Sequence, residues 1–565
     1  MIKTNLSRLV SLRLRYIFIF FILSLIVLYP LLSPLFVRGI PWTYDGNLHQ
    51  YRMAGFHAAV KEGQIPPRWS SLLSYGWGSP VLNFNWSLPY WMAEPFLFAG
   101  WSTTDAQKIV VASAIPFSYL SMFAFLSIWL GFWPAITGAA VYIWATFRIY
   151  LLYTSGASGM EIGFIFWPLL FLSVFLIEKR KFGIAFLVSS LATACTMLSH
   201  QIMFLMIQPL FWSFVFIWNR KNKKLGILPR TVFSYSVGLL MSAYFWLPAI
   251  VEKQYIWIGE TAHRYLVEFL SPVILFLQIN VFMLPGENIW KYIYGTGWML
   301  FFVVGLSIVG ILTHISTRKT SVFQKDLHVL RMLFIGFFLL SLFFITPYSA
   351  PLWKIIPLLP QFIYPVRFQA LALFCGSILA AMLIRQMKYA PLWTIMFISL
   401  TIVLNIRMIP ANPRRINWDD SYYNYGESTS DMYGEFLPKT ANAQHFFITP
   451  EMYDRHEIGR IVSGIGSVTN SAKHSASASF TVQAKTDVSI VINQLYFPGW
   501  EIRANGKKIP VKPYGYGEMV VLLPRGSYSI NAEFKDTPIR NAGNILSLVG
   551  VFILLGYVYA KHRHR

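Results

Sequence analysis

Residues 16–36 read Tyr-Ile-Phe-Ile-Phe-Phe-Ile-Leu-Ser-Leu-Ile-Val-Leu-Tyr-Pro-Leu-Leu-Ser-Pro-Leu-Phe, with no charged side chain anywhere in the run. As a helix it crosses the ~30 Å hydrocarbon core of a bilayer at a rise of ~1.5 Å per residue. Similar runs recur and predict helices near 108–130, 135–152, 161–177, 183–199, 202–218, 231–250, 296–314, 329–346, 366–384, 391–408 and 541–560. The expected fold is therefore a polytopic α-helical membrane protein with about 12 transmembrane helices. Composition agrees, because 55% of the 565 residues are hydrophobic and only 13% are charged. A water-soluble domain has no interior large enough for that much apolar surface. No small-residue cleavage pattern follows the first run at Ser33-Pro34-Leu35-Phe36, so it reads as a retained signal anchor.

The net charge of +23 raises nucleic acid as a partner, and the distribution of the charge argues against it. Six short hydrophilic pieces hold 21 bases against two acids: the N-terminus around Arg13 and Arg15, Lys179-Arg180-Lys181, Arg220 to Arg230, Arg318 to Arg331, Arg385 with Lys388, and the tail Lys561, Arg563 and Arg565. Basic clusters between apolar spans are what the positive-inside bias produces. All six are assigned to the cytoplasm, which makes both termini cytoplasmic. The stretch Leu270 to Leu284 has fifteen residues and contains Pro272, so it reads as re-entrant or interfacial. Counting it as a crossing would put the Arg318/Lys319 piece outside.

With that polarity, residues 38–107 form the first outer loop, and Asp45 lies near its start. The loop predicts an interfacial helix from Asp45 to Glu62, with Tyr51, Phe56 and Val60 among its apolar contacts, and a short membrane-dipping helix from Leu88 to Ala99, broken by Pro89 and Pro95. His49 follows Asp45 by one helical turn on the same face. The pair reads as an ion pair, a hydrogen-bonded turn or two ligands of a divalent cation.

Arg148, Glu161, His200 and Arg367 fall on the same outer side. Glu161 starts a helix, where the N-terminal dipole favours a carboxylate, so a helix-start role stands beside a functional one facing Asp45. His200 sits at a hairpin tip, a common place for a purely structural histidine. Arg367 begins a span, where snorkelling and phosphate recognition are both open. Trp69, Trp86 and Trp91 read either as an interfacial belt or as stacking faces for sugars. Cys195 and Cys375 both fall inside spans, which points to neither a disulfide framework nor a thiolate metal site.

From residue 409 to 540 the apolar spans stop. Alternation predicts strands at 488–495, 500–504, 508–512, 519–523 and 528–534, with hairpin signals at Asn505-Gly506 and Arg525-Gly526. This piece reads as an extracytoplasmic, mostly β domain of sandwich type. The organisation is thus 1–408 transmembrane, 409–540 mostly β, and 541–565 a final helix with a basic tail.

Three stretches resemble a known family, the GT-C superfamily glycosyltransferases and specifically the YfhO-like bacterial membrane proteins. They are Asp45 to Arg52 followed by Gly63-Gln64-Ile65-Pro66-Pro67-Arg68-Trp69; Ile363-Tyr364-Pro365-Val366-Arg367-Phe368; and Tyr496-Phe497-Pro498-Gly499-Trp500 ahead of Asn505-Gly506-Lys507. The resemblance implies transfer of a sugar from a polyprenyl-phosphate carrier to an extracytoplasmic envelope glycan or polymer, with inversion. It implies a bacterial plasma membrane location and matches Asp45 to the family's essential first-loop acid, with Glu161 as the second acid. Arg148, Arg367, Arg68, His200, His49 and Arg52 are the expected donor-binding residues. The Asp-Asp or Glu-Asp doublet of the family is missing, which leaves a divalent cation (Mg or Mn, on Asp45 and Glu161) an open expectation. A lipid-linked glycan flippase and a non-catalytic assembly protein are the competing readings.

Overall fold

The computed structural model describes residues 2–258, 297–317, 322–410, 414–416, 434–441 and 457–563. The described chain is mostly helical. Among the described residues nine helices are long and apolar enough to cross a membrane, or eleven if each of two bent pairs is one span. Helices occupy all twelve positions read from the sequence, including Trp298–Thr317 at the shorter end. The segment 270–284 lies outside the described residues.

Two expected spans are bent, and local sequence does not announce either bend. Phe132–Trp144 and Thr146–Ser155 meet at 42° around Ala145, and the second half finishes in a π-helical turn, Leu151–Ser155. Ile227–Met241 and Ala243–Tyr255 meet at 69°. Here the Ser547 hydroxyl, from the helix Pro538–Arg563, accepts a 2.7 Å bond from the Tyr244 amide. A distant side chain has entered the helical ladder at the break. The last helix packs closely beside it, since a Cβ at Gly550 would lie 2.9 Å from Leu240 Cβ.

In the first loop the helix expected over Asp45 to Glu62 runs over Gly46–Lys61, with Asp45 as the residue preceding it. The second helix, Leu88–Phe98, continues through Pro95 rather than breaking. Pro89 lies in its first turn, where the missing N–H has no helical partner to lose. Strand β1 (Ile40–Pro41) at the start of the loop pairs with β2 (Arg415–Ile416).

The C-terminal β region holds β3 (Gly459–Ser463), β4 (Gly466–Lys473), β5 (Ser477–Ala484), β6 (Val488–Leu495), β7 (Trp500–Ala504), β8 (Lys507–Ile509), β9 (Lys512–Tyr514), β10 (Glu518–Leu523) and β11 (Gly526–Phe534). They form two antiparallel sheets, ordered β3-β6-β10-β9 and β4-β5-β11-β7-β8. Asn505-Gly506 does make the β7–β8 hairpin, with φ of 49° and 81° at the two turn residues. The strand expected at 508–512 is instead two strands in different sheets, β8 and β9, separated around Pro510, which has no amide to donate. Arg525-Gly526 is not a hairpin turn either, because β10 and β11 belong to different sheets.

Trp69 joins the first loop to this region. Its side chain is fully buried against Phe497, Trp500 and Phe534, at centroid distances of 6.3, 5.5 and 5.2 Å. Its indole N–H donates to Gln494 Oε1 at 3.1 Å. A ring enclosed on this scale cannot serve as the sugar platform the sequence suggested; it is packing between loop and sheets.

Candidate functional site

A cleft of about 160 Å³ opens where the first loop, the 199–201 turn, the 363–367 segment and residues 435–436 converge. Asp45, His49, Arg52, His200 and Arg367 all line it, although they are scattered over more than half of the chain. Asp45 stands at the head of the helix Gly46–Lys61 without making a side-chain capping bond to it. Instead its backbone is held by the 154–155 turn: the Tyr44 and Asp45 amides donate to Thr154 O and Ser155 O at 3.0 and 2.7 Å. The Ser155 hydroxyl donates to Asp45 Oδ2 at 3.4 Å.

Burial raises the Asp45 carboxyl above the ordinary aspartate range, against the opposing pull of Arg367, then Arg52, then the Ser155 hydrogen bond; Glu435 pushes it further up. His49 pairs through Nδ1 with the Tyr90 hydroxyl at 3.2 Å, and its ring lies 4.7 Å from that of Trp86. It makes no ion pair with Asp45; its amide closes the first helical turn onto Asp45 O at 3.1 Å. His200 stacks on Trp86, 6.1 Å between centroids, and among the described residues its buried Nδ1 has no hydrogen-bond partner. Burial holds both histidines well below their usual pKa, with Arg52 adding to the effect at His49 and Arg367 at His200.

The two arginines are positioned by the chain around them. Arg52 donates to Asn85 Oδ1 at 3.3 Å and lies 5.3 Å from the Phe436 ring. Arg367 donates to Phe362 O at 2.9 Å and sits over Tyr364 at 4.9 Å. Just before it, Ile363 has φ 64° and ψ −64°, and the Tyr364 amide reaches back to Phe362 O at 2.7 Å. That is the strained, positive-φ form of the γ-turn, unusual for a β-branched residue. Strain of this kind collects at functional sites because the surroundings must over-determine it.

Comparison with family models, with curated proteins and with solved structures finds no match for this chain.

The other expected site residues lie elsewhere. Glu161 does not face Asp45: its carboxylate takes Arg148 Nη2 at 2.7 Å and Nε at 3.0 Å, with both side chains at 0–1% exposure. A carboxylate so deeply enclosed needs a paired cation, and Arg148 is that cation. The pair braces the segment between the bend at Ala145 and the 155–157 turn, so it supports Asp45 from behind. Arg68 is also buried away from the cleft. It donates to Tyr244 O at 2.7 Å, Asn544 Oδ1 at 2.9 Å and Asn83 Oδ1 at 3.2 Å, clasping the first loop to the last helix. Among the described residues no three His, Cys, Asp or Glu side chains are grouped to hold a metal ion. Asp45 and Glu161 do not fit a shared Mg or Mn, since Arg148 occupies the Glu161 oxygens.

Glu435 and Phe436 were not foreseen, and they line the cleft opposite the first loop. Their segment is wedged in place from both sides. The Lys439 amide donates to Tyr255 O at 2.8 Å, and the Thr440 hydroxyl donates to Tyr496 O at 3.2 Å. Trp86, weighed from sequence only as an interfacial or stacking ring, stands between the two histidines and stacks on Tyr90 at 5.4 Å.

Proposed function

We propose that this chain is a membrane glycosyltransferase of GT-C type. It moves a sugar from a polyprenyl-phosphate carrier to an extracytoplasmic envelope glycan or polymer, with inversion at the anomeric carbon. The observation that carries the reading is the cleft in which an acid of raised pKa, Asp45, meets two arginines and two buried histidines in ring contact with Trp86.

In the proposed reaction Asp45 takes the proton of the acceptor hydroxyl as that oxygen attacks the anomeric carbon. The bond from the anomeric carbon to the phosphate oxygen breaks, and its electron pair leaves with the polyprenyl phosphate. Arg367 and Arg52 balance the charge of that departing phosphate. The raised pKa suits Asp45 to the role, because a base closer to neutrality is better matched to its task.

The reading assigns the helices to a bacterial plasma membrane, with the basic hairpins in the cytoplasm and the cleft outside. Nucleotide sugars are cytoplasmic, so an outward-facing site calls for a lipid-anchored donor. The two antiparallel sheets then form a sandwich over the outer face, in contact with the cleft through 434–441, and present the acceptor polymer.

The test is an assay of the purified full chain with several polyprenyl-phosphate sugars and envelope acceptors, with and without EDTA, beside Asp45→Asn. Consumption of one donor by the wild type and its loss in Asp45→Asn supports the reading. A wild type that consumes no donor favours a lipid-linked glycan transporter or an assembly protein, whereas an Asp45→Asn variant that turns over equally well keeps the transferase and removes Asp45 as its base.

A further inference from the structure

A second cavity, of about 280 Å³, lies among four helices far from Asp45 in the sequence. Its walls are apolar and largely aromatic: Phe186 stacks on Phe233 at 5.4 Å and meets Tyr557 at 4.1 Å, with Phe182 and Ile177 closing the cavity. Phe233 is 51% exposed, so the cavity opens on an outward apolar face of the helices. At its rim Arg230 lies flat over Phe182, 3.6 Å from the ring. The Lys561 side chain lies across Gly183, filling the space a Cβ there would need. Among the described residues neither cation forms an ion pair with an acid.

A strongly apolar crevice with cations only at one end has the polarity of a phospholipid: acyl chain inside, phosphate at the rim. We propose that this crevice binds an anionic phospholipid, with the acyl chain between Phe186, Phe233 and Tyr557 and the phosphate held by Arg230 and Lys561. The lipid bridges the helix Phe182–Ser199, the helix Ile227–Met241 and the last helix Pro538–Arg563, whose local packing here is only a small satellite cluster around Phe186, Val237 and Leu554. It therefore fastens the C-terminal helix to the bundle. The inference rests on the reading that these helices span a membrane, and it is independent of any catalytic role for Asp45.

Native mass spectrometry of the detergent-purified full chain, offered equimolar phosphatidylglycerol and phosphatidylcholine, tests it. The expected result is one phosphatidylglycerol retained per chain in preference to phosphatidylcholine. Retention should weaken about fivefold for each charge removed in Arg230→Gln and Lys561→Gln, and persist in the charge-keeping pair Arg230→Lys with Lys561→Arg. Equal retention of the two lipids, or unchanged retention in the double Gln variant, overturns the proposal. Failure of the membrane reading shows separately, as a chain that does not fractionate with membranes.

Discussion

The Asp45 amide donates a 2.7 Å hydrogen bond to Ser155 O, and the Ser155 hydroxyl reaches the Asp45 carboxylate at 3.4 Å across 110 residues of sequence. The acid of the first loop is thus held by the turn that follows the bend at Ala145. That turn is in turn fixed by the π-helical segment Leu151–Ser155 and by Gly156, at φ +76°. Two loops that the sequence treats as separate act as one support for a single carboxylate.

Gly156 is the point at which that support is most easily disturbed. The Thr43 hydroxyl occupies the space a Cβ would need, and Gly46 N would lie only 2.9 Å away. Gly156→Ala should cost about 1–2 kcal/mol from the left-handed conformation alone. The clash also pushes Asp45 off its position, and a displacement of ~1 Å lowers turnover roughly 10²-fold. Adding Thr43→Ala should recover part of the turnover, since it removes the closest clashing atom, the hydroxyl oxygen, while the close Cβ of residue 43 and the backbone strain remain. Turnover and thermal midpoint of the two variants are the measurements; equal turnover in wild type and Gly156→Ala would show that Asp45 does not depend on this turn.

Glu161 should behave as a structural residue. Removing one partner of the buried pair, in Glu161→Ala or Arg148→Ala, should cost about 3–5 kcal/mol because the other charge is stranded. Replacing both together, with Glu161→Leu and Arg148→Met, should cost less than either single change. Turnover per folded molecule should stay near wild type in that double variant, measured beside the thermal midpoint. A Glu161→Gln protein with an unchanged midpoint and no turnover would return Glu161 to the reaction.

The helices were legible because each apolar run is long enough to be read alone. The bends were not: the break before Ala243 depends on Ser547, some 300 residues later in the chain. Trp69 was misread for the same reason, since Gln494, Phe497, Trp500 and Phe534 enclose it from the far end of the sequence. Strand β4 went unseen because its residues are small, polar and mostly exposed, and β3 because it is short and only its glycine is buried, although β5 does alternate, with Ala478, Phe480, Val482 and Ala484 buried. In the cleft, Asp45, His49 and Arg52 share one short helical stretch, and His200 and Arg367 follow from sidedness. Glu435 carries no such signal; its segment is brought there by the hydrogen bonds of Lys439 to Tyr255 O and of Thr440 to Tyr496 O.

His49 and His200 predict an acid-sensitive fold. Both have folded pKa values well below the usual 6.5, so below about 6.5 the unfolded chain takes up protons that the folded chain does not. Their contribution is intact above that pH and is lost as pH falls through the window beneath it, by at most about 1.4 kcal/mol per pH unit for each histidine. The thermal midpoint should therefore drop between pH 7.5 and 5.5, and drop less in His200→Gln or His49→Gln. An acid loss of the same size in both variants would mean that other groups govern it.

The strongest test of Asp45 as the base is the direction in which its neighbours move the pH dependence. Only the ionised carboxylate can accept the acceptor proton, so kcat/KM should fall as pH is lowered through the pKa of Asp45. That acid limb should lie above the range of an exposed aspartate, because burial is the largest influence on the group. Arg367 is the strongest counter-influence, so Arg367→Gln should shift the limb to higher pH. Glu435 acts in the opposite sense, so Glu435→Gln should shift it to lower pH. The comparison uses the midpoint of the limb rather than its height, since Arg367 also contacts the donor phosphate in the proposed reaction and its loss lowers the rate at every pH. Shifts of opposite sign in these two variants would identify the titrating group as the carboxylate between them, whereas coincident limbs would place the essential proton transfer on another residue.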